Sequence, residues 1–215
     1  MTAVSTYAEP VPAEANATRQ KLLAAGERLF ATRGIHGAQL RDIVRAAGQA
    51  NDSAIHYHFG SRDGLLAAIC ARHLAEMEPE RERRLATQGD EPDITVMVVD
   101  LIRPAAGRLR SQSGRYFLQI SQQVAGHSGV RGGVLPPIVS EGLRRQLEQL
   151  QRECERSVPT PVARERIAVM IGAITAALAD RATAIDEGTR FELDEEAFVA
   201  NLETMQAAGL RARLS

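Results

Sequence analysis

No apolar run in this chain of 215 residues approaches the roughly 18 that a membrane-spanning helix requires. No secretory signal pattern opens it, so the expected location is the cytoplasm, in association with the nucleoid. Cysteine is scarce: Cys70 and Cys154 lie in helical patterns without metal-ligand spacing, which predicts reduced, structural thiols. His56 and His58 are the nearest thing to a metal pair. On a helix their side chains diverge by about 200°, so no metal is expected to bind there. The chain also lacks a glycine-rich phosphate loop, a His-Glu-x-x-His pattern and a nucleophile elbow. Neither an enzyme nor a cofactor is therefore expected. Strand-like alternation and internal repeats are missing too, and an all-α chain of about nine helices remains.

The most informative segment is residues 39–66, QLRDIVRAAGQANDSAIHYHFGSRDGLL. Leu40, Ile43, Val44 and Ala47 recur at helical spacing and form one apolar stripe. Gly48 stands where a helix commonly ends in a left-handed residue. Asn51, Asp52 and Ser53 are suited to cap a second helix of about two turns, which points Ala54, Ile55 and Phe59 inward. A helix that short does not stand alone. Braced by neighbours and polar on its other face, it is what a helix-turn-helix presents to the DNA major groove. Before it, Leu22, Gly26, Leu29 and Phe30 make a bracing helix from about residue 17. After it, Ser61 caps a further helix reaching about Met77, with Asp63 favouring its positive dipole end.

In sequence order these residues resemble the DNA-binding part of TetR/AcrR-type bacterial regulators over residues 18–74. Leu29, Phe30, Arg33 and Gly34 match the ending of that family's first helix. Arg41, Asp42, Ile43, Ala47 and Gly48 match its second helix. Tyr57 to Leu66 match the aromatic end of the recognition helix and the glycine-serine start of the next. Two features depart from the pattern: one extra residue between Gly48 and Phe59, and Gln39 where a serine or threonine often caps the second helix. The resemblance implies a ligand-responsive, sequence-specific transcriptional regulator, most often a repressor released from a palindromic operator by a small molecule. A protein-interaction module that has lost DNA reading is the alternative, and a small-molecule enzyme a more distant one.

Charge supports a DNA partner despite a net value of −1. Residues 17–75 hold eight Lys or Arg against four acids, a local balance of +4, while residues 76–215 carry −3. By analogy with the family, Asn51, Asp52, Ser53 and His56 are placed to touch base edges. Gln39, Arg41, Tyr57, His58 and Arg62 complete the expected DNA-contacting set. Asp52 serves equally well as a helix cap, and one of Tyr57 and His58 is expected to pack beneath the helix.

The chain divides into a polar arm (1–16), a helix-turn-helix domain (17–60), a connecting helix (61–77) and a helical effector-binding and dimerisation domain (78–215). The charge-dense stretch 78–91, with Pro79, reads as a helix fraying into a loop, and the glycine- and proline-rich stretch 126–137 as another. The connecting helix is the expected route between DNA and ligand. For the effector, Arg103 precedes Pro104, whose missing N–H orphans the carbonyl of Asp100 and favours a kink. Tyr116, Gln119 and Gln123 flank the stripe Phe117, Ile120, Ser121 and Val124, and would supply polar groups to a pocket. Thr175 is a further candidate that can instead bond its own backbone. Gly172 and Ala176 permit close helix approach, and Phe198, Leu202 and Met205 form a stripe on the last helix. The resemblance assigns both sets to a homodimer interface, although either can be core of one chain.

Overall fold

The computed structural model describes residues 13–51, 53–87, 89, 93–127 and 139–213. Nine α-helices and one 3₁₀ turn are present among them, and no strand. The first helix, α1 (Ala13–Arg33), begins within the stretch expected to be an arm; it buries Leu22, Leu23, Leu29 and Phe30. Next come α2 (Leu40–Ala46) and α3 (Ser53–Phe59), the helix-turn-helix pair. Gly48 ends the α2 turn at φ 69°, a conformation that a side chain at Cβ disfavours. Ile43, Val44 and Ile55 close the small core against α1 and α4 (Arg62–Thr87). Gly64, in the first turn of α4, has no room for a side chain: a Cβ there would lie 1.9 Å from the Phe59 carbonyl oxygen.

Helix α4 does not fray where Pro79 stands. It continues to Thr87 because the one lost backbone bond is offset on both sides by side-chain pairs at helical spacing. Arg81 meets Glu78 at 2.8 Å and Arg84 meets Glu80 at 2.7 Å. The connecting helix therefore reaches deep into the second domain, ten residues past its expected end.

That domain contains α5 (Ile94–Ala106), a 3₁₀ turn (Gly107–Arg110), α6 (Gln112–His127), α7 (Glu141–Glu155), α8 (Thr160–Asp186) and α9 (Glu195–Arg211). Side-chain oxygens of Asp93, Ser140 and Asp194 accept the free N–H groups that open α5, α7 and α9. Most of the glycine- and proline-rich stretch 126–137 lies outside the described residues. By length and composition α8 is apolar enough to cross a membrane, contrary to the sequence reading. Here it packs between α6, α7 and α9. Helix α6 is the middle of the molecule, touching α8 on one side and α1 on the other.

Candidate DNA interface and effector cavity

Helix α3 buries Ile55 completely and turns Ser53, His56 and Tyr57 outward. These are residues i, i+3 and i+4, so they form one ridge. Tyr57 is 77% exposed, high for an aromatic residue. His58 is half-buried, its ring edge-on to Tyr57 at 4.8 Å, so of the two aromatic candidates Tyr57 is the outward one. His56 holds the Gly60 carbonyl through Nδ1 at 3.1 Å, which fixes the ring of this exposed side chain. Asn51 Oδ1 accepts the Ser53 N–H at 3.0 Å, making Asn51 a cap of α3. Asp52 lies outside the described residues. Gln39 is the N-cap residue of α2 but makes no capping bond with its side chain.

Arg62 is occupied within the domain. Its guanidinium donates to the Ala38 carbonyl at 3.2 Å and lies over the Phe30 ring at 5.2 Å. It braces the start of α4 against α1 and the turn before α2, which explains a base in a first helical turn. The exposed bases sit instead on α2, where Arg41 and Arg45 share a face at i, i+4. Arg45 was not among the residues expected at the interface, although its spacing from Arg41 places it on the same face. In this motif the helix preceding the recognition helix is the one that crosses the phosphate backbone.

In the second domain, α4, α5, α6, α7 and α8 enclose a cavity of about 190 Å³. Its walls are largely apolar, with Leu74, Met77, Phe117, Leu147, Ile171 and Ile174 prominent. Three polar side chains reach it besides Cys70: Arg81, Ser121 and Thr175. Ser121 donates to the Phe117 carbonyl at 2.8 Å and Thr175 to the Ile171 carbonyl at 2.9 Å, each within its own helix. Burial pushes the Cys70 thiol up to about 12, with the Glu27 charge adding to the effect. That thiol is inert at neutral pH, and Cys154, also raised by burial, behaves likewise.

Comparison with known proteins agrees with this arrangement. Residues 22–69 match the family described as bacterial regulatory proteins, tetR family. Among curated proteins, the HTH-type transcriptional regulator SrpR of Pseudomonas putida is 24% identical over 179 residues, covering 67% of this chain and 84% of that protein. The solved structure of the fatty acid degradation regulator FadR from Bacillus halodurans superposes with a TM-score of 0.59 at 18% identity, over 95% of this chain and 100% of that one. A TetR-like transcriptional regulator from Rhodococcus sp. RHA1 gives 0.58 at 17%, over 91% and 97%. Residues 22–69 are thus similar to the tetR-family DNA-binding domain, and the chain shares its fold with TetR-like solved structures.

The polar residues expected in the pocket lie elsewhere. Tyr116, Gln119 and Gln123 are on the sides of α6 that face away from the cavity. Tyr116 borders a shallow cleft against α1 and α2. Gln119 bonds Thr183 of α8 at 3.2 Å. Gln123 accepts the Ile35 N–H at 2.7 Å and donates to the Phe30 carbonyl at 3.3 Å, holding the end of α1. Arg103 faces α9, where Glu203 at 2.6 Å and Glu196 at 2.7 Å bind it and raise its pKa. Pro104 lies inside α5 as expected, but the residues that α5 gives to the cavity are Leu101 and Ala105.

A second, polar core joins the domains. Glu27 of α1 is buried and receives Arg72 at 2.7 Å, His73, and Ser113 at 2.9 Å. Arg108 donates to His73 Nδ1 at 2.9 Å, so the ring hydrogen sits on Nε2, facing the Glu27 carboxylate. Burial alone would raise the Glu27 carboxyl. Hydrogen bonding from His73 and the charge of Arg72 outweigh it and hold Glu27 below its usual 4.5. The His73 ring stacks on Phe117 with centroids 4.5 Å apart, and Phe117 is a cavity wall.

Among the residues expected at a dimer interface, Leu202 is 6% exposed within the single chain and belongs to its core. Phe198 is half-buried beneath the Arg181 guanidinium at 4.8 Å. Gly172 has open space around its Cβ position, and Ala176 is half-buried. Met205 at 59% and Val169 at 68% are exposed apolar side chains on α9 and α8.

Proposed function

We propose that this regulator works as a homodimer whose α3 ridge reads a palindromic operator and whose cavity, when filled, reduces operator affinity through α6. The carrying observation is the position of α6. One of its faces forms cavity wall through Phe117, Ser121 and Val124, and another holds the DNA-binding domain through Ser113 and Gln123. A ligand that moves α6 thus disturbs the seat of α1, and α4 is not the sole route between the domains. Only differential affinity for two arrangements shifts such an equilibrium. Operator must therefore weaken ligand binding by the factor by which ligand weakens operator binding. Ser53, His56 and Tyr57 are the base-reading candidates, and Arg41 and Arg45 the phosphate-binding ones. The exposed Val169, Gly172 and Met205, beside an α8–α9 cleft of about 400 Å³, support dimerisation through that face.

Selection of bound fragments from the source genome, followed by gel shifts across a salt series, tests the DNA reading. Enrichment of a palindrome and affinity that falls with salt are expected; failure to enrich any site refutes it and favours the interaction-module alternative. Arg45→Ala should lower the salt slope by about one, without changing base preference. Arg62→Ala should act mainly on domain stability.

A further inference from the structure

The cavity framed by α4 to α8 offers a guest no free charge. Among the described residues that line it there is no carboxylate, and the one cation is Arg81. Arg81 is 2% exposed, and Glu78, which does not line the cavity, takes its Nη1 at 2.8 Å. Glu78 is held in turn by the Ser140 hydroxyl at 2.6 Å. The guanidinium is thus both covered and compensated. The Cys70 thiol stays protonated at neutral pH. Both hydroxyls on the wall have committed their hydrogens within their own helices, Ser121 to the Phe117 carbonyl and Thr175 to those of Ile171 and Gly172.

Such walls sort ligands by charge first. An anion would leave water for a space whose cation already has its partner, and an ammonium would find no acid. Either ion bears its desolvation cost without forming a new pair. A hydrocarbon body bears none, and gains in proportion to the apolar surface it removes from water. Leu74, Leu147 and Ile174 give it aliphatic wall, while Phe117, Met77 and Met170 add a ring and two polarisable thioethers that suit a flat guest. Volume sets the second limit. About 190 Å³ exceeds the roughly 150 Å³ of a cavity that accepts benzene and falls short of the roughly 300 Å³ at which drug-sized pockets begin. One ring with a short chain fits, and a molecule of several fused rings does not.

We infer that this cavity takes a small, uncharged, hydrocarbon-like molecule of single-ring size, such as an alkylbenzene, and rejects carboxylates and ammonium ions of the same shape. This rests on reading the cavity as the effector site, and it names the chemical class of that effector. Phe117 is the wall such a guest shares with the polar core, because its ring also stacks on His73 at 4.5 Å.

The test uses three probes of closely similar shape: ethylbenzene, phenylacetate and phenethylammonium. Binding of each to the full-length protein is measured by calorimetry at neutral pH without DNA. Ethylbenzene should bind at least about tenfold more tightly than either ion. Progesterone, uncharged but several rings larger, should not displace it. Ser121→Leu and Thr175→Leu fill the cavity from α6 and α8, and each should weaken ethylbenzene at least about tenfold; the second serves if the first does not fold. No binding of ethylbenzene, or an ion within about tenfold of it, would overturn the inference. So would displacement by progesterone, or a smaller loss than stated in the variants that fold. Operator affinity with and without saturating ethylbenzene is measured separately. If ethylbenzene binds as stated and operator affinity does not change, the effector reading fails while the ligand class stands.

Discussion

The two sides of α6 differ as much as any two regions of this protein. On one, side chains leave a void, and the hydroxyls that reach it are satisfied by their own helix. On the other, Ser113 and Gln123 are bonded to α1 and the residues just after it, and Glu27 and His73 form a buried network with Arg72 and Arg108. The first side has unfilled volume and no cross-helix bonds from those hydroxyls. The second has discrete bonds that are either made or broken. Packed interiors transmit displacement rather than absorb it, so a shift of α6 registers on the bonded side.

That contrast predicts a ranking of mutational effects. Glu27→Ala leaves His73 and Arg72 without their buried partner and should cost about 3–5 kcal/mol in urea unfolding. A loss under 1 kcal/mol would mean that the polar core is no more constraining than the void. Gln123→Ala orphans the Ile35 N–H and should cost about 1–3 kcal/mol. It should also weaken the link between cavity occupancy and DNA release. Unchanged coupling in that variant would move the route to α4 alone.

Acid sharpens the same difference. The Glu27 carboxyl titrates lower in the folded protein than in the unfolded chain. Its contribution is therefore complete above about pH 4.5 and lost as pH falls through the depressed folded value. Glu27→Gln should be less stable than the parent at neutral pH, with the gap narrowing on acidification below that point. Parallel stability curves would contradict the charge assignment. On the apolar side, Ser121→Leu places volume where space exists and should change stability by less than about 1.5 kcal/mol. It should nonetheless abolish binding of a small aromatic probe such as ethylbenzene, and a variant that still binds it normally would place the guest elsewhere.

The same contrast explains what could be read from sequence. The helix-turn-helix was legible because its signals are local: a stripe at 40, 43, 44 and 47, a left-handed Gly48, and capping residues before a short helix. The all-α organisation and the inward stripe of α6 were legible for the same reason. Partners across helices were not. Gln123 and Tyr116 flank that stripe, and periodicity does not say whether such residues face a ligand, another helix or solvent. Arg103 met Glu203, a hundred positions away, and Arg62 met Ala38, both pairings decided by tertiary packing. Arg81 was hidden behind Pro79, which made its helix look finished. The apolar character of Leu202 was correctly noticed, but burial within one chain and burial between two leave the same pattern.

The central claim is that α6 carries cavity occupancy to the DNA-binding domain, and the Ile35 amide reports it most directly. Its hydrogen is held by Gln123 Oε1 across the domain boundary. Hydrogen exchange at Ile35, measured with the cavity empty and then saturated with a small aromatic probe such as ethylbenzene, should show protection falling on occupancy. Amides in the middle of α9 should stay unchanged. Identical Ile35 exchange in the two states, with the cavity demonstrably filled, would contradict the account.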